Sequence, residues 1–348
     1  MEKEVLTRIQ TPTEGYERHY PEIVRLANIQ LEKQFWTSSE MKVELDRMQL
    51  LHDLGEDRTH AIKFVLNLFV RYELQVGDMW QRIGQIFPRP EVKLACSVID
   101  MVERAVHAEF YDQVNKQLGL DTDEHYLAFL SNPELKKRVD WMGKLLSPRA
   151  KDPELGVIIF SLTETALLFS SFAILKSFQS NGFNDIPVIV RGTNQSARDE
   201  DLHGRVSAEI INTYYRELGT TLFEDKTRYE KVRQAIHYAF DHESLIIDQA
   251  IPSGVLNGTT AEQFKTYVKR RLNIYAERLG IPPEFDLSEV DDPVSGWFEE
   301  NTEAYKVPDF FTPGMSMEYE TGGWDEAGFI RALTKKASIE GGKLVYGN

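Results

Sequence analysis

The sequence predicts an all-α helical bundle with a two-metal carboxylate site in its core. Three observations carry this. Apolar residues recur at helical spacing through most of the chain, punctuated by proline and glycine. Two runs combine carboxylates with an imidazole: Glu103-Arg104-Ala105-Val106-His107-Ala108-Glu109-Phe110-Tyr111 and Arg198-Asp199-Glu200-Asp201-Leu202-His203. Glu200 and His203 stand three apart, so a helix projects them to one side, where they can share a metal ion. Finally, Glu73 and Glu164 are lone acids in apolar stretches, and a carboxylate is costly to bury there unless a cation neutralises it. One such Glu alone reads as solvent-facing or paired with Arg. Four Glu and two His, in the order Glu, Glu/His, Glu, Glu/His, read together as one site, and oxygen and imidazole ligands without thiolates suit Fe or Mn.

Residues 1–20, with Pro12 and Gly15, read as an irregular arm. A first helix covers about 21–34, the pattern breaks at 35–40, and 39–54 has loose helical spacing (Met41, Val43, Leu45, Met48, Leu51). A long helix over 59–87 carries Glu73 and ends at Pro88-Arg89-Pro90, because proline lacks the amide hydrogen a helix interior needs. The helix over 91–118 carries Glu103 and His107, and Gly119 closes it. Shorter helices follow at 124–130 and 133–146, then the Glu164 helix at 153–180, stopped by Asn181-Gly182. Ile186-Pro187-Val188-Ile189-Val190 has strand composition, against Pro187 and its helical surroundings. Helices over 188–218, with Glu200 and His203, 224–251 and 260–279 complete the bundle. The domain reading is an arm at 1–20, one helical domain at 21–312 and a partly flexible tail at 313–348.

One extended bundle absorbs the 348 residues. A net charge of -15, from 55 acidic and 40 basic residues, argues against non-specific nucleic-acid binding. The single cysteine, Cys96, excludes an internal disulfide framework, fits a reducing cytoplasm and reads as core filler. The first residues are too polar for a signal peptide. The longest apolar run, 155–178, is interrupted by Ser, Thr, Glu and Lys, so no membrane span is expected. Asp241-His242-Glu243 reads as a polar face, since adjacent residues on a helix diverge.

Arg198-Asp199-Glu200-x-x-His203, with His107-Ala108-x-x-Tyr111, resembles the radical-generating small subunit of class I ribonucleotide reductase, a ferritin-like bundle. The resemblance covers about residues 20–320 and includes Phe35-Trp36, the Phe87-Pro88-Arg89-Pro90-Glu91 corner and Asp309-Phe310-Phe311. It implies metal ligands at Glu73, His107, Glu164, Glu200 and His203 and a tyrosyl radical at Tyr111, with Leu167, Leu168 and Phe172 as candidate walls. It also implies an electron and proton path through Asp199 and Trp36. It further implies a homodimer in the cytoplasm and a large catalytic subunit, docked through the C-terminal tail, that reduces ribonucleotides; Tyr346, Tyr319 and Trp324 are candidate relays in that tail.

The sequence departs from the family in one place. The family has Glu-x-x-His, but Arg104 stands three before His107 and Glu103 four before. Either Arg104 has replaced a ligand, or one inserted residue is absorbed by a π-bulge that keeps Glu103 as ligand. The interval from Pro90 to Glu103 matches the family's and favours the insertion. Two other readings of the same bundle stand beside this one: a dimetal oxygen-activating oxidase, and an iron store, for which Trp36 and Asp199 have no use.

Overall fold

The computed structural model describes residues 6–13, 15, 18–304, 337–340 and 343–346. Among these, the chain forms twelve α-helices: α1 (Pro21–Glu32), α2 (Glu56–Ile86), α3 (Pro90–Val102), α4 (Ala108–Gln117), α5 (Asp123–Tyr126), α6 (Pro133–Leu145), α7 (Pro153–Leu162), α8 (Leu168–Lys176), α9 (Pro187–Leu218), α10 (Lys226–Ala250), α11 (Ala261–Arg278) and α12 (Pro293–Ala304). Two short antiparallel pairs accompany them, β1 (Val255–Leu256) with β2 (Thr259–Thr260), and β3 (Ala337–Glu340) with β4 (Lys343–Tyr346); the sequence reading placed no strand in either region. Asp309-Phe310-Phe311, Tyr319, Trp324 and the side chain of Tyr346 lie outside the described residues.

The bundle's centre is α2, the α3–α4 rod, the α7–α8 rod and α9, with α1, α10 and α11 packed around it. Each rod is one continuous helix interrupted by a wide π turn, Glu103–His107 in the first and Thr163–Leu167 in the second. The α7–α8 rod is apolar and long enough to cross a membrane, yet it is buried inside the bundle as its core helix. Local chemistry sets the ends. Pro90 and Pro153 occupy first turns, where a missing amide hydrogen costs nothing. Asp152 accepts from the Leu155 amide, and Gly219 ends α9 at φ 71°.

Several expectations need correction. The strand composition at 186–190 is overridden: Pro187 starts α9, and Ile186 before it is a buried residue in the left-handed region (φ 45°). The cap comes from another segment, since buried Asp46 accepts from the Ile189 amide at 2.8 Å and Gln49 from the Ile186 amide at 2.7 Å. The loosely helical 39–54 segment is instead three short turns, Ser38–Glu40, Val43–Asp46 and Gln49–Asp53. The Asp241-His242-Glu243 run is not wholly a polar face. His242 and Glu243 are buried, and Glu243 forms an ion pair with Arg138 at 2.8 Å and accepts from Ser170 at 2.6 Å.

Candidate metal centre

Glu73 from α2, Glu103 and His107 from the first π turn, Glu164 from the second, and Glu200 and His203 from α9 converge in the core, each with no exposed surface. They form two overlapping groups whose potential ligand atoms lie within 4.8 Å of one another: Glu73, Glu103, His107 and Glu200, and Glu103, Glu164, Glu200 and His203. Glu103 and Glu200 belong to both. Glu200 sets one oxygen 3.1 Å from His107 Nδ1 and the other 3.1 Å from His203 Nδ1. Glu103 does the same at 3.2 and 2.8 Å, the shorter approach lacking hydrogen-bond geometry. Glu73 stands 4.0 Å from His107, and Glu164 3.7 Å from His203.

The register at Glu103 follows the inserted-residue alternative. The wide turn, in which the Ala108 amide bonds the Glu103 carbonyl five residues back, brings Glu103 inward. Arg104 turns outward to Asp100 (2.6 Å) and Asp78 (2.5 Å). Gly77 on α2 makes room for it, because a Cβ there would lie 2.9 Å from Arg104 Nε.

The donor set fits two dications. Neither Glu73 oxygen has a hydrogen-bond partner, and one oxygen each of Glu103, Glu164 and Glu200 also lacks one. Buried carboxylates left this way are costly unless cations face them. Both imidazoles aim Nδ1 inward and Nε2 at an outer acceptor, His107 at Asp199 Oδ2 (3.0 Å) and His203 at Gln30 Oε1 (3.2 Å), which fixes the ring orientation of a ligand. Without metal, protons balance the charge. Burial, with Glu103 beside Glu73 and Glu200 beside Glu164, holds these two carboxyls well above the usual range. Burial also opposes charge on His107 and His203, but the carboxylates outweigh it and raise both imidazoles well above the ordinary value.

Tyr111 lies one turn beyond His107, fully buried, its ring stacked on Phe69 at 4.2 Å and Phe172 stacked behind Phe69 at 5.5 Å. Ser196 faces the hydroxyl without reaching hydrogen-bond geometry, and burial followed by Glu73 pushes the phenol's pKa far up. Leu167 and Leu168 are also buried, but the rings against Tyr111 are those of Phe69 and, at 4.9 Å, Phe110. On the cluster's other side, Trp36 Nε1 donates to Asp199 Oδ2 at 2.8 Å, the same oxygen that meets His107 Nε2. Sequence reasoning missed two residues. Gln30, which donates to Asp199 at 2.9 Å and meets His203, offered no local signal. Trp80 Nε1 donates to Glu164 Oε1 at 2.6 Å, and its position two turns after Glu73 on one helix face was a usable signal.

The chain has a ferritin-like helical fold with a buried carboxylate–histidine centre suited to two metals. The sequence model described as "Ribonucleotide reductase, small chain" matches residues 16–293, and the chain belongs to that family. It is 28% identical over 300 residues to the ribonucleoside-diphosphate reductase small chain of Ostreid herpesvirus 1, covering 84% of this chain and 48% of that one. It is 24% identical over 307 residues to the subunit beta of Chlamydia pneumoniae, covering 83% and 84%. The chain thus spans about half the length of the herpesvirus relative. Among solved structures it resembles a putative class I ribonucleotide reductase from Bacillus halodurans (TM-score 0.70, 22% identity, 81% of this chain and 99% of that one). It also resembles the dimanganese(II)-NrdF of Streptococcus sanguinis (0.70, 16%, 83% and 99%) and the Rnr4 homodimer of Saccharomyces cerevisiae (0.67, 16%, 86% and 93%).

Proposed function

We propose that this chain generates and stores the radical of a class I ribonucleotide reductase, which reduces ribonucleotides to deoxyribonucleotides. Glu73, His107, Glu103 and Glu200 would hold one metal, and Glu164, His203, Glu103 and Glu200 the other, with Fe and Mn both suited to these ligands. When bound and oxidised by molecular oxygen or a reduced oxygen species, the metals would supply the one-electron oxidising power for Tyr111. Tyr111 would give its electron to that oxidised centre and its hydroxyl proton to the reduced oxygen, leaving a neutral phenoxyl that the apolar rings of Phe69 and Phe110 suit and keep from water. The Trp36–Asp199–His107 line provides the exit, with ring centroids of Trp36 and His107 5.9 Å apart and hydrogen bonds throughout. Its receiver is a large catalytic subunit docked through the tail at 313–348; the working assembly is a homodimer in a reducing cytoplasm, where buried Cys96 stays a thiol.

The observation that carries this reading is a sealed tyrosine one turn from the cluster. An oxidase would instead need a substrate path to the metals, and all six candidate ligands are fully buried. The test is metal analysis with electron paramagnetic resonance after Fe or Mn loading and exposure to oxygen. Tyr111→Phe is expected to retain two metals per chain and lose the tyrosyl signal. An unchanged signal would move the role elsewhere.

A further inference from the structure

The second candidate position depends on a turn that its own sequence does not explain. Thr163-Glu164-Thr165-Ala166-Leu167 contains neither proline nor glycine, yet the Leu168 amide bonds the Thr163 carbonyl five residues back. Contacts from other helices hold it. Arg271 of α11, nine-tenths buried, donates from Nε to the Thr165 carbonyl at 2.8 Å. Its guanidinium lies 3.5 Å from the Phe169 ring centroid, and Nη2 reaches Asp201 Oδ1 at 3.3 Å. Asp201 lies between Glu200 and His203 on α9 and also takes Arg278 at 2.6 Å. Gly204 completes the contact, since a Cβ there would sit 2.5 Å from Thr165 Oγ1 and 2.7 Å from Arg278 Nη1. The chain Thr165–Arg271–Asp201 therefore ties the Glu164 turn to the helix that presents Glu200 and His203.

We infer that Arg271 is a positioning residue for Glu164: it holds the wide turn so that Glu164 meets His203 at the second metal position and accepts from Trp80 Nε1. This rests on the proposed two-metal reading. The first position does not use Glu164: Glu73 sits in an ordinary stretch of α2, and Glu103 and His107 in the other wide turn. Arg271 also lines a cavity of about 380 Å³ between α8, α9, α11 and α12, so shortening its side chain enlarges an existing space.

The test compares the full chain with Arg271→Met, Arg271→Lys, which keeps one donor, and Gly204→Ala. Two readouts are taken: anaerobic Mn²⁺ titration, and the indole ¹⁵N–¹H resonance of Trp80 in metal-free protein, assigned with Trp80→Phe. For Arg271→Met the first Mn²⁺ is expected to bind as in the wild type and the second about tenfold or more weakly, with the Trp80 resonance displaced. Arg271→Lys falls between, and Gly204→Ala follows Arg271→Met. Two equivalents bound normally with an unmoved Trp80 signal overturn the inference, and so does equal weakening of both equivalents without that displacement. A wild type that fails to take up two Mn²⁺ refutes the two-metal reading itself, while the metal-free Trp80 signal still decides whether Arg271 holds Glu164.

Discussion

Glu103 and Arg104 are neighbours with opposite fates, and exchanging each for alanine separates them. Glu103 belongs to both ligand groups, so Glu103→Ala removes one of four potential ligands from each metal position. A loss of about a hundredfold in affinity per position, the upper end for disturbed ligand shells, is a modest assumption for a direct ligand. At a free metal concentration about a hundred times the dissociation constant, binding stabilises the folded wild type by ~2.7 kcal/mol per site. The same concentration then only equals the variant's dissociation constant and contributes ~0.4 kcal/mol. The difference of ~2.3 kcal/mol per site corresponds to roughly 5 °C, taking about 2 °C per kcal/mol for a chain of this size. Arg104 is one-third exposed and its partner Asp78 is exposed too, so solvent screening limits its ion pairs to about 1 kcal/mol each, and neither partner is a candidate ligand. Arg104→Ala should therefore leave the metal-induced shift intact. Scanning calorimetry of both variants with and without Mn²⁺ checks this. A preserved shift in Glu103→Ala, or a lost one in Arg104→Ala, would refute the register assigned to this turn.

Two further outcomes follow from the buried charges. In the metal-free chain Glu73, Glu164, His107 and His203 have raised pKa values, so their contribution to stability is full below their unfolded values and is lost as pH rises through the folded ones. Glu103 and Glu200, whose values are lowered, act in the opposite sense only as pH falls below the usual carboxylate range. Bound metal must displace the retained protons, so Mn²⁺ affinity should rise with pH and with measurable proton release; calorimetry in buffers of different ionisation enthalpy would expose a flat response as a failure of this account. Arg138→Met strands Glu243 without its counter-ion and removes the 2.9 Å bond to the Tyr72 hydroxyl, at a cost of about 3–5 kcal/mol, while Arg138→Met combined with Glu243→Leu recovers most of it in urea titrations. A single variant as stable as the wild type would contradict the buried pairing.

What the sequence made legible was periodic or paired. Lone acids on apolar faces and the Glu200/His203 spacing report a local helix geometry, and that geometry is what the fold realises. Less legible was whatever one segment imposes on another. Ile186 to Val190 has the composition of a strand, but Asp46 and Gln49, more than a hundred residues earlier, cap it as a helix. Glu243 looked like a surface acid until Arg138, on a different helix, turned out to be buried opposite it. The turn at Glu164 carries no signal at all, because its cause is an arginine on α11 and a glycine on α9.

The two halves of the centre reach the same arrangement by different means, and the difference bears on which changes the chain tolerates. On α9 a regular helix places Glu200 and His203 three residues apart, and no special turn is needed. On the α3–α4 rod the spacing is four, and the geometry works because the helix widens locally and because Gly77 leaves a groove for the displaced Arg104. Any side chain at position 77 would therefore press on Arg104 and Asp100, the former within the widened turn and the latter just ahead of it, although neither belongs to the cluster. A methyl group there would meet Asp100 Oδ1 at 2.6 Å and Arg104 Nε at 2.9 Å. Both are far ends of flexible, partly exposed side chains, so they can move aside at small cost in stability. The burden would instead fall on the position of Glu103, whose carboxylate belongs to both candidate ligand groups.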